Sequence, residues 1–197
     1  MSNVSILILA AGNSSRMGGK AKQLLPWKDT TLLGHAVDEA KKTSESVVVV
    51  LGARAQDILQ QIEGRAEVVI NPQWEQGMGS SIAMGIRYVM GKDPHPKAVL
   101  IMVGDQPFLD AAHLRELLQL FLRGNTKVVG TKYGQSLGVP AVFDSSLFGA
   151  LSRLDPHRGA KALIQKYGTE ALGVDPKGRA GDIDTLEAYR RALENAP

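Results

Sequence analysis

Apolar residues along this chain fall in short continuous runs, each broken by a polar or glycine-containing segment. The run Val4–Ala10 is apolar at nearly every position, which is typical of a strand buried on both faces of a sheet. Residues 46–51 and 98–103 show the same pattern, and a shorter run follows at Glu67–Ile70. Residues 127–143 contain two further apolar stretches around a glycine turn, which predicts two more strands.

Segments with helical spacing separate these runs. Apolar residues recur every three or four positions over 32–40, 55–62 and 111–122, and Thr30 and Thr31 can cap the first of these helices. Strands that alternate with helices are typical of parallel βαβ units in a layered α/β domain. With no linker, repeat or low-complexity segment, we expect one domain over residues 1–197.

Composition narrows the class of protein. The 197 residues are 44% hydrophobic and 22% charged, and they contain no cysteine, which excludes a disulfide framework and thiolate metal sites. No apolar run approaches the roughly 20 residues of a membrane span. The net charge of +3 is too small and too dispersed to indicate a nucleic-acid surface. We therefore expect a cytoplasmic protein that acts on neither nucleic acids nor membranes.

The loop after the first strand carries the first candidate chemistry. Gly12 is followed by Asn13, two serines, Arg16 and Lys22, so small residues and cations meet at the carboxyl end of a core strand. Ligands bind at this end of α/β sheets, and backbone amides with Arg and Lys suit a polyphosphate. The spacing fits neither the Walker motif nor the dinucleotide motif. The alternative is an ordinary glycine-rich turn with solvated lysines.

Two further segments offer polar groups. Gly77 and Gly79 permit a turn, after which Ser80 or Ser81 can cap a helix, and this helix N-terminus is a candidate anion or base-edge site. An ordinary capped loop is the alternative, and we interpret Trp74 as a packing residue.

Carboxylates follow the later strands. Asp105 ends the strand at 98–103, and Asp182 and Asp184 lie two residues apart in an extended segment, so both point to one face. Carboxylates so placed can hold Mg²⁺ together with phosphate oxygens. Alternatively, Asp105 is a turn former and Asp184 begins the last helix.

Four motifs in order carry a resemblance to a known family. They are LAAG-x-S-x-R-M-G with K-Q-L-L, the segment NPQWEQGMGSS, GDQP, and GDIDT. Together they resemble the MobA-like nucleotidyltransferases, and within these the molybdenum cofactor cytidylyltransferases. The resemblance implies a three-layer Rossmann-like (GT-A type) α/β fold with a mostly parallel central sheet.

The same resemblance implies a set of site residues. Its catalytic residues are Arg16, Lys22 and Asp105; its nucleotide-binding residues are Leu9, Ala10, Ala11, Gly12, Arg16, Lys22, Gly79, Ser80 and Ser81; its metal ligands are Asp105, Asp182 and Asp184; its acceptor-binding residues are Arg158 and Lys161. The expected cation is Mg²⁺, with Mn²⁺ as an alternative.

The implied reaction transfers the CMP group of CTP to the phosphate of molybdopterin cofactor and releases pyrophosphate. A molybdoenzyme-maturation partner is a further candidate. Ala11, where the guanylyl branch has glycine, favours CTP, whereas Val139 replaces the family's usual histidine and weakens the acceptor assignment. The alternatives are a guanylyltransferase for the same cofactor, a sugar-1-phosphate nucleotidyltransferase, and a non-catalytic nucleotide- or pterin-binding chaperone. Which of Asp182 and Asp184 binds the metal stays open.

Overall fold

The strands and helices of a computed structural model, which describes residues 3–17 and 19–195, follow the apolar pattern closely. The strands of the described residues are β1 Val4–Ala10, β2 Pro26–Trp27, β3 Thr30–Thr31, β4 Val47–Leu51, β5 Glu67–Ile70, β6 Ala98–Val103, β7 Val128–Tyr133, β8 Ser136–Asp144 and β9 Leu172–Val174. The α-helices are α1 Leu32–Lys41, α2 Ala55–Ile62, α3 Met78–Met90, α4 Ala111–Arg123, α5 Phe148–Leu151, α6 Lys161–Tyr167 and α7 Leu186–Glu194.

Seven strands form the central sheet, in the order β5-β4-β1-β6-β8-β7-β9. Strand β1 pairs in parallel with β4 on one side and with β6 on the other, and every residue of β1 is buried. Strand β8 runs antiparallel to both of its neighbours, whereas β9 is parallel to β7. The sheet is therefore mostly parallel, as expected, with one reversed strand.

Helices cover both faces of this sheet, which makes three layers. On one face, the side chains of Ile6 and Ile8 pack against apolar residues of α1, α2 and α4. On the other face, Leu7 and Leu9 pack against α3, α5 and α6. Because successive side chains of a strand point to opposite faces, the continuous apolar run of β1 supplies both cores. The predicted fold class is confirmed.

A smaller apolar cluster ties the C-terminal segment to the loop after β1. Its buried members include Met17, Trp27 and Ile183, with exposed fractions of 0%, 1% and 2%. The rings of Trp27 and Phe108 meet edge to face at 5.5 Å. Through Ile183, the cluster brings the C-terminal segment beside the first loop, although the two are far apart in sequence.

The predicted cap of α1 is present, whereas the predicted start of α3 is wrong. The Thr31 side chain accepts a hydrogen bond from the Gly34 amide at 3.0 Å and caps α1, as predicted. Helix α3, in contrast, begins at Met78 with Gly77 as its N-cap, so Ser80 and Ser81 lie inside its first turn instead of capping it. Gly77 has φ of 116°, a conformation that glycine adopts readily, and this lets the helix begin earlier.

The short elements β2, β3 and β9 were not indicated by the apolar pattern, because two or three residues show no periodicity. Among residues 3–17 and 19–195, no helix is long and apolar enough to cross a membrane. The cytoplasmic location stays a prediction.

His113 is a buried polar group in the core of this fold. Its Nε2 lies 2.8 Å from the Thr131 hydroxyl, which itself donates to the Pro140 carbonyl at 2.8 Å, so Nε2 carries the proton. Its Nδ1 is buried and has no hydrogen-bond partner among the described residues. Burial, with the charge of Arg179 as a second cause, lowers the pKa of His113 below its ordinary value.

We predict that stability falls with acid and that His113→Gln flattens the fall. Because the pKa of His113 is lower in the folded state, the unfolded chain binds the proton more readily. The contribution of His113 to the free energy of unfolding is therefore complete above about pH 6.5 and is lost as the pH falls below that value. Glutamine keeps an N–H for Thr131 but does not titrate. Urea unfolding at several pH values measures how steeply the free energy of unfolding falls with acid. Burial also lowers the pKa of His35, so part of this fall remains in the variant. An identical slope in both proteins contradicts the prediction.

Candidate active site

A cavity opens at the carboxyl ends of β1 and β6, where these parallel strands place the segments that follow them. Its volume is about 320 Å³. The lining residues come from the first loop, from the segment before α3 and from the end of β6: Leu9, Ala10, Ala11, Gly12, Asn13, Lys22, Gln23, Trp74, Glu75, Gly77, Met78, Ser81, Val103, Gly104 and Asp105. This is where ligands bind in open α/β sheets.

Gln23 fixes the shape of the first loop. Its side chain is only 3% exposed, and its Nε2 donates to the carbonyl oxygens of Ala10 at 3.0 Å and Gly12 at 2.9 Å. Ser14 donates to Gln23 Oε1 at 3.1 Å and accepts from the Lys22 amide at 3.1 Å. Within the described part of the chain, the backbone N–H groups of Gly12 and Asn13 make no hydrogen bond. Both residues line the cavity. Gly18 of the loop motif lies outside the described residues.

Cations of this loop meet carboxylates from two distant segments. Lys22 Nζ contacts Asp105 Oδ2 and lies 3.1 Å from Asp184 Oδ1, and Arg16 lies 2.9 Å from Asp184 Oδ2. Burial alone would lower the pKa of Lys22, but the two carboxylates raise it above its ordinary value. Burial likewise works against the charge of Asp184, but hydrogen bonds and charge from Lys22 and Arg16 lower its pKa. The site therefore holds compensating charges of both signs.

Asp182 has a different partner. Its Oδ1 accepts from Gln106 Nε2 at 2.7 Å, and the same nitrogen donates to the Tyr133 hydroxyl at 2.9 Å. Tyr133 in turn donates to the Val139 carbonyl at 2.6 Å, and burial raises the pKa of Tyr133 to about 12. The two aspartates of GDIDT therefore belong to different hydrogen-bond networks.

The carboxylates suit a divalent cation. Asp105 Oδ1 is buried and has no hydrogen-bond partner among the described residues, so this oxygen is available as a ligand. Hard cations such as Mg²⁺ prefer oxygen ligands and often combine one or two carboxylates with phosphate oxygens. Within residues 3–17 and 19–195, no three acidic or histidine side chains form a metal-binding group. Asp105 and Asp184 would therefore hold the ion together with the nucleotide.

The first turn of α3 contributes fewer ligand-facing groups than the sequence predicts. Ser81 lines the cavity, whereas Gly79 and Ser80 do not. The Gly79 amide donates to the Pro156 carbonyl at 2.9 Å, and the Ser80 hydroxyl donates to the Gly77 carbonyl at 2.8 Å. Both serine hydroxyls accept from the buried Asn71 side chain, at 2.9 and 3.0 Å. These polar groups hold the turn together.

A second cavity of about 260 Å³ adjoins the first and shares Leu9 and Met78 with it. Its lining includes Lys161, Asp182 and Val139, so one of the two predicted acceptor-binding residues lies here. Arg158 does not line it and faces Asp155 at 4.0 Å.

One family model covers most of the chain. Residues 6–171 match the MobA-like NTP transferase domain. The chain belongs to this family. It is a nucleotidyltransferase, and as such it binds a nucleoside triphosphate and an acceptor.

The chain is similar in sequence to two known proteins. It is 28% identical to nicotine blue oxidoreductase of Paenarthrobacter nicotinovorans over 96% of each chain. It is also 28% identical to the molybdenum cofactor cytidylyltransferase of Escherichia coli (strain K12), over 61% of this chain and 60% of that protein. The names of these two relatives describe different activities.

A solved relative agrees in fold. The crystal structure of Rv0371c from Mycobacterium tuberculosis H37Rv superposes with a TM-score of 0.81 at 30% identity, and the match covers 98% of each chain. A further crystal structure of Rv0371c is a complex with manganese, at 28% identity and a TM-score of 0.75 over 98% of this chain and 99% of that one. That complex is consistent with a divalent cation in this MobA-like transferase.

The structure therefore brings most of the predicted site residues together. Leu9 to Gly12, Lys22, Ser81 and Asp105 line one cavity, and Arg16 joins them through Asp184. Gln23 and Trp74 were missed. The half-buried Trp74 lines the cavity instead of serving only as packing. A signal for Gln23 was present, since it is a polar residue between Lys22 and an apolar pair.

Gly79→Ala tests whether Gly79 serves packing or ligand binding. A Cβ there would overlap the Asp155 carbonyl oxygen and lie 2.6 Å from that of Arg158, both rigid backbone atoms. We expect a loss of about 1–3 kcal/mol in the free energy of unfolding, against the gain of about 1 kcal/mol that alanine brings to a helix.

Gly91→Ala at the other end of α3 is the matched control, because its Cβ would come no closer than 3.4 Å to any atom. Urea unfolding compares the two variants. If Gly79→Ala keeps wild-type stability but no longer binds nucleotides, Gly79 contacts the ligand and the packing explanation is wrong.

Proposed function

We propose that this nucleotidyltransferase transfers the CMP group of CTP to the phosphate of a molybdopterin-type cofactor and releases pyrophosphate. The observation that carries the proposal is the pair of adjoining cavities, one lined by the glycine loop with Lys22 and Asp105, the other containing Lys161. A nucleotide in the first and an acceptor phosphate at the mouth of the second would meet beside Asp105.

The reaction requires little proton transfer by side chains of the protein. An oxygen of the acceptor phosphate forms a bond to the α-phosphorus of CTP, and the bond from that phosphorus to the bridging oxygen of pyrophosphate breaks. A phosphate monoester is already ionised near neutral pH, so no general base is needed. Positioning and charge stabilisation remain. Lys22 and Arg16, which face carboxylates in this structure, would turn to the triphosphate.

Mg²⁺ is the proposed cation, with Mn²⁺ as the alternative, and Asp105 and Asp184 are its proposed ligands. The bound ion would neutralise charge on the phosphates during transfer. The buried oxygen of Asp105 that lacks a partner supports this assignment.

The preference for CTP rests on Ala11. This residue is 7% exposed and lines the first cavity, and its carbonyl accepts from the Ala53 amide at 3.0 Å, so its methyl group is held in place. A methyl group leaves less room than the glycine of the guanylyl branch, and a pyrimidine needs less room than a purine. The similarity to a molybdenum cofactor cytidylyltransferase supports the same branch.

We also propose that residues 1–197 act as one domain and that a molybdoenzyme-maturation partner receives the product. The cluster that joins Met17 and Trp27 to Ile183 supports the first statement, since it packs the C-terminal segment on the first loop.

A competition experiment tests the function. Purified protein is incubated with molybdopterin cofactor, Mg²⁺ and equal CTP and GTP, and the dinucleotide and pyrophosphate are measured. We expect the cytosine dinucleotide in excess, by about 5–150-fold if steric fit alone contributes 1–3 kcal/mol. We expect Ala11→Gly to reduce this ratio. A guanine product in excess would overturn the cytidylyl assignment, and no pyrophosphate with any acceptor would favour the non-catalytic alternative.

Asp105→Asn tests the charge-stabilising role. Loss of one transition-state contact of this kind lowers turnover by about 10²–10³-fold, and we expect this range with the fold retained. Asp144→Asn is the matched control, because Asp144 pairs with Ala98 at the opposite edge of the sheet. Pyrophosphate release at saturating Mg²⁺ gives the rates, and circular dichroism reports the fold. A folded Asp105→Asn variant with wild-type turnover would remove Asp105 from the mechanism.

A further inference from the structure

The aspartates Asp182 and Asp184 are two residues apart but face different parts of the molecule. Asp184 contacts Lys22 and Arg16 at the first cavity. Asp182 lines the second cavity and accepts from Gln106. Between them, Ile183 is 2% exposed, and its amide donates to the Asp105 carbonyl at 2.9 Å. This buried residue anchors the segment, so that Asp184 contacts Lys22 of the first cavity while Asp182 lines the second.

We infer that Asp182 binds the acceptor by accepting hydrogen bonds from its N–H or O–H groups, and that it is separate from Asp105 and Asp184, the proposed ligands of the divalent cation. Gln106 and Tyr133 are positioning residues that hold Asp182 for this role. The inference rests on the proposed transfer to an acceptor in the second cavity.

The cation side follows from the position of one ammonium group. Lys22 Nζ is itself a cation, and it contacts both Asp105 and Asp184, so it marks the point on which oxygens of these two residues converge. Two carboxylates with phosphate oxygens are a usual ligand set for Mg²⁺. Asp182 lies close enough for its charge to act on Asp105, but among the described residues it makes no ion pair with Lys22.

The acceptor side follows from the hydrogen bonds of Gln106, which is only 7% exposed. The Tyr133 proton goes to the Val139 carbonyl, so the Tyr133 oxygen accepts from Gln106. Asp182 also accepts, and therefore both neighbours require the NH₂ end of the Gln106 amide, which has two N–H groups. The amide orientation is thereby determined, and the chain from Val139 to Asp182 is rigid.

The second cavity combines opposite charges with apolar walls. Lys161 offers a cation, Asp182 offers only acceptor oxygens, and Leu137 and Val139 add apolar surface to the lining. Such a site fits an acceptor that carries an anionic group and, across an apolar or planar body, N–H or O–H donors. An acceptor with a phosphate alone would offer Asp182 no hydrogen-bond donor.

The first experiment measures the cation and not turnover. Water-proton relaxation reports the binding of Mn²⁺ with α,β-methylene-CTP, which cannot react, to the wild type and to Asp182→Asn, Asp184→Asn and the control Asp144→Asn. We expect Asp184→Asn to weaken binding of the Mn²⁺ complex by about tenfold or more, as loss of a metal-site group does. Asp182→Asn and Asp144→Asn should leave it within about twofold, the scatter expected of a residue outside the metal site.

The second experiment separates binding of the acceptor from binding of the nucleotide. With molybdopterin cofactor as acceptor, we expect Asp182→Asn to raise the acceptor KM by about tenfold to a hundredfold, the value of a hydrogen bond to a charged group. The KM for CTP should not change. Tyr133→Phe and Gln106→Leu should raise the acceptor KM less. If Gln106 acts through Asp182, adding Gln106→Leu to Asp182→Asn causes no further loss.

Each outcome has one meaning. If Asp182→Asn weakens the Mn²⁺ complex as much as Asp184→Asn, or if Gln106→Leu and Asp182→Asn act additively, the inference is wrong while nucleotidyl transfer stands. If Gln106→Leu does not fold, Tyr133→Phe alone carries the positioning test, and an unchanged acceptor KM there overturns that part. If the wild type binds the Mn²⁺ complex of neither CTP nor GTP analogues, the proposed function fails and the inference fails with it.

Discussion

One ammonium group holds together parts of this chain that are remote in sequence. Lys22 contacts Asp105, 83 residues away, and Asp184, 162 residues away. Two carboxylates this close repel each other, and the lysine between them offsets that repulsion. These side chains are partly buried, so removing one of them would leave the remaining charge poorly compensated. The glycine loop, the end of β6 and the C-terminal segment are therefore positioned as one unit.

The same charges explain how the site can exist before substrate binds. Arg16 and Lys22 neutralise the carboxylates in this structure. When a triphosphate binds with its cation, the two cationic side chains would pair with the phosphates and the carboxylates with the metal ion. Such an exchange requires that the backbone stay in place while side chains move. The apolar cluster of Met17, Trp27 and Ile183 provides that support, since it packs the loop and the C-terminal segment together below the charged groups.

Elements with strong local signals were predicted from the sequence almost residue by residue. The run Val4–Ala10 and the helix Ala55–Ile62 have the predicted bounds, because burial on both faces and helical spacing each leave a clear pattern. The start of α3 was misplaced, since the capping preference of serine pointed to Ser80 or Ser81. The positive φ of Gly77 and the hydrogen bonds of Asn71 to both serines outweighed that preference.

The sequence by itself determined the layered α/β fold, the loop that suits a polyphosphate, and the set of carboxylates and cations at one edge of the sheet. These follow from local periodicity and from the rule that the carboxyl ends of parallel strands share an edge. Only the tertiary structure decided which groups meet. The spacing of Asp182 and Asp184 predicts one shared face. The partner of each carboxylate, however, depends on Lys22 and Gln106, which come from other segments. Such pairings are set by packing between distant parts of the chain, and no local pattern records them.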